Sequence, residues 1–282
     1  MRKLLAFIHV AKTGGQTVET MLRSTFGARY CHAELWQDRL PTGDAGGSFK
    51  VPKYDNSDFR RLKLLCPWMR CVGGHAVALW SGIDRVQPTN YFAFLRDPLT
   101  RGASHFQFHQ RTESNPLSWD EWVQWKVHHN HQVKMFSQDC NVDQAIEAIE
   151  KHRVFLGLME HFDESLILLQ RLMAPELNLG YSRTNTAGDR SIAGKLLADP
   201  VKRDQLAEMY KLDQILYDHV KNNVFPRFQN EYGTGLTESV AGFKAGHGSG
   251  FSRVNAQTNR VVRRLWLEPW GAHFRKRARS TS

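Results

Sequence analysis

Residues 4–26, LLAFIHVAKTGGQTVETMLRSTF, decide the fold. Leu4 to Val10 form a compact, largely apolar run, the pattern of a strand buried on both faces of a parallel sheet. Val18, Met21, Leu22 and Phe26 then recur at helical spacing, so the chain passes from strand to helix through AKTGGQT, Ala11 to Thr17. A loop so placed offers unpaired backbone N–H groups and the positive end of a helix dipole to an anion. Gly14 and Gly15 allow close approach of the main chain, Lys12 adds a point charge, and Thr13, Gln16 and Thr17 add donors. A phosphate-like group fits this constellation. The nucleotide-binding loop GxxxxGK[ST] sets its lysine after the glycines, whereas Lys12 precedes them, which argues against a kinase or ATPase. By itself the segment also reads as a strand-to-helix turn that simply needs glycine.

Working outward, CVGGHAVAL (71–79), NYFAFLRDP (90–98) and VFLGLME (154–160) read as further strands, and helical patterns occupy 99–110, 118–137, 141–151, 163–173 and 199–228. Strands alternating with helices predict an α/β fold, a P-loop-like three-layer arrangement in which helices flank a mainly parallel sheet. Residues 38–58, rich in Gly, Pro, Asp and Ser, read as a long loop of the kind that carries function. From 233 the composition turns to Gly, Ser and Asn, so residues 1–232 are expected to form one domain and 233–282 a linker and tail. No internal repeat is present.

A second chemical segment, FLRDPLTRGASHF (94–106), closes another expected strand. Arg96 falls where the C-terminal edge of the sheet opens, the place where open α/β sheets bind ligands. Ser104 lies within the following helix, from which it and Arg96 could clasp one phosphate. The plainer reading is a surface pair of Arg96 with Asp97, and Pro98 starting a helix.

Together, a strand ending in KTGG and a later strand ending in RDPxxRxxSxF resemble the sulfotransferases that use 3′-phosphoadenosine-5′-phosphosulfate (PAPS). The likeness is to the carbohydrate branch, of the heparan sulfate 2-O and 6-O type. It continues more loosely through NHQVKMF (130–136), GLMEHFDESLILL (157–169) and LDQILYDHV (212–220). The resemblance implies that Lys12, Thr13, Gly14, Gly15, Gln16 and Thr17 hold the 5′-phosphosulfate and that Arg96 and Ser104 hold the 3′-phosphate. It further implies in-line transfer of the sulfo group to a hydroxyl of a glycan or glycolipid, with Lys12 contributing to catalysis and the Gly74-His75 segment supplying a general base. Position agrees, since His75 ends an expected strand and should project from the same sheet edge as Lys12 and Arg96. Histidine suits proton removal near neutral pH, although a turn-capping role is the plainer reading. Asn130 and Gln132 match an acceptor-side segment of the family, and Asn185 and Arg190 a polar loop that contacts cofactor or acceptor; these four roles stay open. His105 and His109 share a helix face as zinc ligands do, but no HExxH glutamate or third ligand accompanies them, and no metal is expected.

Composition bounds the rest. With 41% hydrophobic and 23% charged residues in 282, the chain has the make-up of an ordinary globular protein and needs no staples. Cys31, Cys66, Cys71 and Cys140 are too few for a disulfide scaffold and fit reduced thiols in a cytosol. The start of the chain lacks a signal-peptide cleavage site and no apolar run is long enough to span a bilayer, so a cytoplasmic location is expected. Residues 260–279 carry seven basic side chains against Glu268, +6 of the chain's +10. Interleaved with Leu265, Trp266, Leu267, Trp270 and Phe274, they suggest peripheral contact with an anionic membrane face; a flexible solubilising extension is the plainer reading. No base-reading motif accompanies them, so no nucleic acid is expected. Two rival classes remain: a P-loop-type nucleotide or small-molecule kinase, and a non-enzymatic polyanion- or membrane-binding protein.

Overall fold

The computed structural model describes residues 3–33, 42–43, 49–50, 54–181, 191–246 and 252–270. In chain order the elements are β1 (Leu4–Ile8), α1 (Gly15–Phe26), β2 (Tyr30–His32), the two-residue strands β3 (Thr42–Gly43) and β4 (Phe49–Lys50), α2 (Asn56–Leu65), β5 (Cys71–Gly74) and β6 (Thr89–Leu95). There follow α3 (Pro98–Thr112), α4 (Trp119–Gln124), α5 (His131–Lys134), α6 (Val142–His152), β7 (Phe155–Leu158) and α7 (Phe162–Leu172). The chain then continues through α8 (Ser191–Ala198), α9 (Pro200–Met209), α10 (Lys211–His219), α11 (Phe225–Tyr232), α12 (Leu236–Ala245) and α13 (Arg253–Val262).

Five strands form one parallel sheet in the order β2-β5-β1-β6-β7, with helices on both faces, which is the expected α/β architecture. Every residue of β1, β5 and β7 is buried, as continuous apolar runs in a doubly covered sheet require. Ile8 is level with Gly74, where β5 also ends, and with Ala93, two residues before the end of β6, so the three strands deliver their following residues to one edge of the sheet. The main core gathers the sheet with α1, α2, α6, α7, α10 and α11, while a second cluster under α3 joins Ala103, Phe106, Trp122, Leu196, Leu206, Met209 and Tyr210.

Three expectations differ from the fold. The helix expected over 118–137 is three short pieces, because Trp125 and His129 leave helical geometry and Asn130 is left-handed at φ 47°. β2 was not foreseen. Residues 236–246 and 252–270, expected to be linker and tail, are largely helical and dock back onto the domain. Asn259 is buried and donates to the carbonyls of Gly27 (2.8 Å) and Tyr30 (2.9 Å), and Leu267 is buried too. Asn255 donates to the Ser24 carbonyl at 2.9 Å, one of those that the end of a helix leaves without a partner in the helix. The rest of the tail, 271–282, lies outside the described residues.

Candidate active site

The first of the two anion segments sits where expected, between β1 and α1. Gly14 is left-handed at φ 79° and precedes α1, whose first turn has neither a side-chain cap nor an acidic residue. Thr17 and Val18 N–H donate to the Gly14 carbonyl at 3.0 and 3.3 Å, and no side chain caps the N–H groups before them, the end of a helix that suits an anion. A side chain on Gly14 would meet Met159 Sδ at 2.8 Å, and one on Gly15 would fall 1.9 Å from His9 Nε2, so the glycines let α1 close onto both neighbours. Thr13 is buried and donates to the Val10 carbonyl at 2.9 Å, which ties the loop to the end of β1. Lys12 has φ 71°, an uncommon and strained conformation for a residue with a Cβ. Its ammonium lies 4.1 Å from the centre of the Phe108 ring on α3. Partial burial and then the charge of Arg96 lower its pKa, and it has no carboxylate partner among the described residues.

Arg96 follows β6 and is held by its main chain. Its N–H donates to Gln132 Oε1 at 3.1 Å, and Gln132 Nε2 donates back to its carbonyl at 3.0 Å. Its guanidinium reaches the Lys12 carbonyl at 3.4 Å, bringing the two anion segments together. Asp97 does not form the surface pair weighed above; its carboxylate caps α3 by accepting from Thr100 N–H at 2.9 Å, with Pro98 in the first turn. The Asp97 N–H donates to Glu160, which Tyr217 also holds. Ser104 lies half-buried within α3. Gln132 is thus part of the scaffold under Arg96. Asn130 is scaffold as well, its Oδ1 accepting from the N–H groups of Leu212 and Asp213. Asn185 and Arg190 lie outside the described residues.

His75 follows the end of β5 and is exposed. Its Nδ1 lies 3.0 Å from the carbonyl oxygen of His9, and its ring stacks on that of His9 with centroids 3.8 Å apart. Since a carbonyl only accepts, Nδ1 carries the proton and the neutral ring keeps Nε2 as its basic nitrogen.

Sequence reading missed the buried assembly behind this pair. His9 Nδ1 meets Glu19 Oε1 at 2.8 Å, while Glu19 Oε2 accepts from Arg23 at 2.7 Å and lies 3.6 Å from His32 Nε2. Burial alone would raise the Glu19 carboxyl, but the His9 hydrogen bond and neighbouring positive charges hold it at about 2. Burial pushes His32 down to about 4. Both shifts favour the deprotonated group in the folded chain. The stability they contribute is therefore complete above pH 6.5 and is lost for His32 between 6.5 and about 4, and for Glu19 between 4.5 and about 2. The melting temperature should accordingly fall on acidification through these ranges, and Glu19→Gln should flatten the fall below pH 4.5. A midpoint as steep there in the variant as in the parent would remove Glu19 from this role.

His105 and His109 are packed in an aromatic box rather than open to a ligand: His105 lies 5.1 Å from Trp122 and 4.6 Å from His128, and His109 Nε2 accepts from Leu117 N–H at 2.9 Å. Among the described residues no group of three or more His, Cys, Asp or Glu is placed to hold a metal, and no helix is long and apolar enough to cross a membrane.

A parallel sheet whose C-terminal edge gathers an uncapped helix start, a lysine, an arginine and a histidine has the charge and donors to receive an anionic group. Residues 122–244 match the family model described as galactose-3-O-sulfotransferase, a span that lies C-terminal to both anion segments. The match supports a carbohydrate sulfotransferase, a family whose reaction moves a sulfo group to a glycan hydroxyl. The matched branch is the galactose 3-O one, whereas the motifs had suggested the 2-O and 6-O branch. No curated protein matches the chain.

Proposed function

We propose that the protein is a PAPS-dependent O-sulfotransferase acting on a glycan hydroxyl, with His75 as general base. The observation that carries this reading is the meeting of the uncapped α1 start, Lys12 and Arg96 at one sheet edge, with His75 stacked on His9 at the end of the neighbouring strand. The residues suit the donor chemically: two neighbouring cations, one with no carboxylate among the described residues, form a place that an anion would relieve. PAPS supplies an activated sulfo group on a phosphate leaving group.

In this reading the N–H groups of Thr13 to Gln16, with the side chains of Lys12, Gln16 and Thr17, hold the 5′-phosphosulfate while the Thr13 hydroxyl stays on the Val10 carbonyl, and Arg96 with Ser104 holds the 3′-phosphate. Lys12 is placed to stabilise charge on the leaving oxygen, an effect that grows toward the transition state. The His9 carbonyl fixes the tautomer of His75 so that Nε2 can take the acceptor's hydroxyl proton. The two groups thus divide the work of an in-line displacement, in which the protein mainly positions reactants and stabilises charge.

Calorimetry with the desulfated product, 3′-phosphoadenosine-5′-phosphate, against ADP tests the donor site. The bisphosphate should bind at least about tenfold more tightly, since a charge-assisted contact is worth about 1.5–3 kcal/mol. Arg96→Ala should abolish the preference. Equal affinities for both ligands, or binding of neither, would overturn the assignment.

A further inference from the structure

The outer face of the C-terminal helical segment has an order that catalysis does not explain. Val254, Val261 and Leu265 are 72%, 54% and 71% exposed and recur at helical spacing, so they form one apolar stripe. Arg253, Arg260 and Arg264 recur at the same spacing one residue earlier and form a parallel basic stripe; none makes an ion pair among the described residues. The helix continues beyond α13 through one wide turn, Arg263–Leu267. There Trp266 donates its indole N–H to the Leu65 carbonyl at 3.1 Å and leaves its ring partly exposed beside Trp270. At the same end of the fold Trp68 donates to the Ala28 carbonyl at 3.1 Å, and Leu64 is 81% exposed. Apolar and indole surface flanked by unpaired arginines, on a helix fixed by Asn255 and Asn259, is the make-up of a segment that lies in a lipid interface.

We propose that this face docks peripherally on an anionic lipid bilayer, with the apolar stripe and the tryptophans entering the headgroup boundary and the arginines meeting lipid phosphates. Charge decides against a second copy of the chain as the occupant, because a two-fold contact would press six guanidinium groups together. A soluble polyanion would answer the arginines but leave the stripe without purpose.

The placement also sets an orientation. The face covers the end of α1 and the turns entering β2 and β5, whereas the anion loop caps the start of α1; twelve helical residues separate them by about 18 Å. A docked molecule therefore turns its sulfo-transfer edge away from the lipid surface. It would reach a glycan that extends from the membrane, or one in solution, more readily than a headgroup lying in that bilayer.

The test is co-sedimentation of the full chain with vesicles of phosphatidylcholine alone and of phosphatidylcholine mixed with phosphatidylglycerol. The chain should bind the anionic vesicles at low salt and release as salt rises, and bind neutral vesicles far less. Arg253→Gln, Arg260→Gln and Arg264→Gln combined should weaken binding about a hundredfold, at about 1 kcal/mol per basic residue. Val254→Ser, Val261→Ser and Leu265→Ser combined should weaken it at least about tenfold. All six positions face solvent, so both variants should melt with the parent. Equal binding to neutral and anionic vesicles, or none to either, would overturn the proposal. So would serine variants that bind anionic vesicles as the parent does, which would mark a polyanion site, or that dissociate a dimer seen by light scattering, which would mark a self-association face. These outcomes leave the donor-site reading untouched, since calorimetry with the bisphosphate needs no lipid.

Discussion

His75→Ala should lower sulfo transfer about 10²-fold or more while the affinity for 3′-phosphoadenosine-5′-phosphate stays within a few-fold of the parent, the kinetic mark of a lost general base. Lys12→Ala should behave differently. In the proposed mechanism its ammonium meets the donor in both ground and transition states, so bisphosphate affinity and turnover should fall together. Transfer from PAPS to a galactose-terminated glycan, beside calorimetry on the same two variants, separates these patterns. A His75 variant that turns over at the parent rate would move the base elsewhere. His9 would be the next residue to replace, because it is stacked against His75 and held by Glu19.

Removing Asp213 should be the most damaging single change to stability. Arg101 and Asp213 are both fully buried, with Nη2 and Oδ2 3.5 Å apart, and Asp213 Oδ1 also accepts from Val133 N–H at 2.9 Å. Arg101 lies against the Tyr210 ring at 4.8 Å, and its Nε and Nη1 make no hydrogen bond. Asp213→Ala leaves that guanidinium buried without a counter-charge, and breaking such a pair costs about 3–5 kcal/mol. Replacing both partners with leucine should recover much of the loss, since an apolar pair of similar volume carries no desolvation penalty. Urea unfolding reads both effects. A loss under about 1 kcal/mol for the single variant would show that water reaches the pair. Because the pair pins α3 to α10, the aspartate variant should also loosen the helix that carries Ser104.

What could be read in advance follows from range along the chain. The strands β1, β5, β6 and β7 announced themselves as compact apolar runs, and KTGG and RDP lie in loops whose chemistry is local. β2 has three residues, too few for any period to appear. The helix over 118–137 looked continuous because no Gly or Pro marks its breaks; Asn130 makes the turn through an αL conformation that asparagine tolerates. The tail looked like solvent-facing chain because its docking residues are few among Gly, Ser and Asn: Leu236, Val240 and Phe243 of α12 pack on the core, and Asn255, Asn259 and Leu267 hold the last helix. At the site, the residues proposed to meet an anion were legible, and those that hold them were not. Glu19 with His9, Gln132 with Arg96 and Glu160 with Asp97 are tertiary pairings between positions 10, 36 and 63 residues apart, which no short-range pattern records.

The left-handed backbone of Lys12 has a bearing on how this protein can be improved. A side chain held at φ 71° is a local conflict that glycine would relax, yet glycine there would discard the charge facing the donor. Heat resistance and turnover are therefore opposed at this one position. A selection for thermal tolerance alone would drift toward a sturdier loop that no longer works, so screens on this scaffold have to score catalysis in the same round.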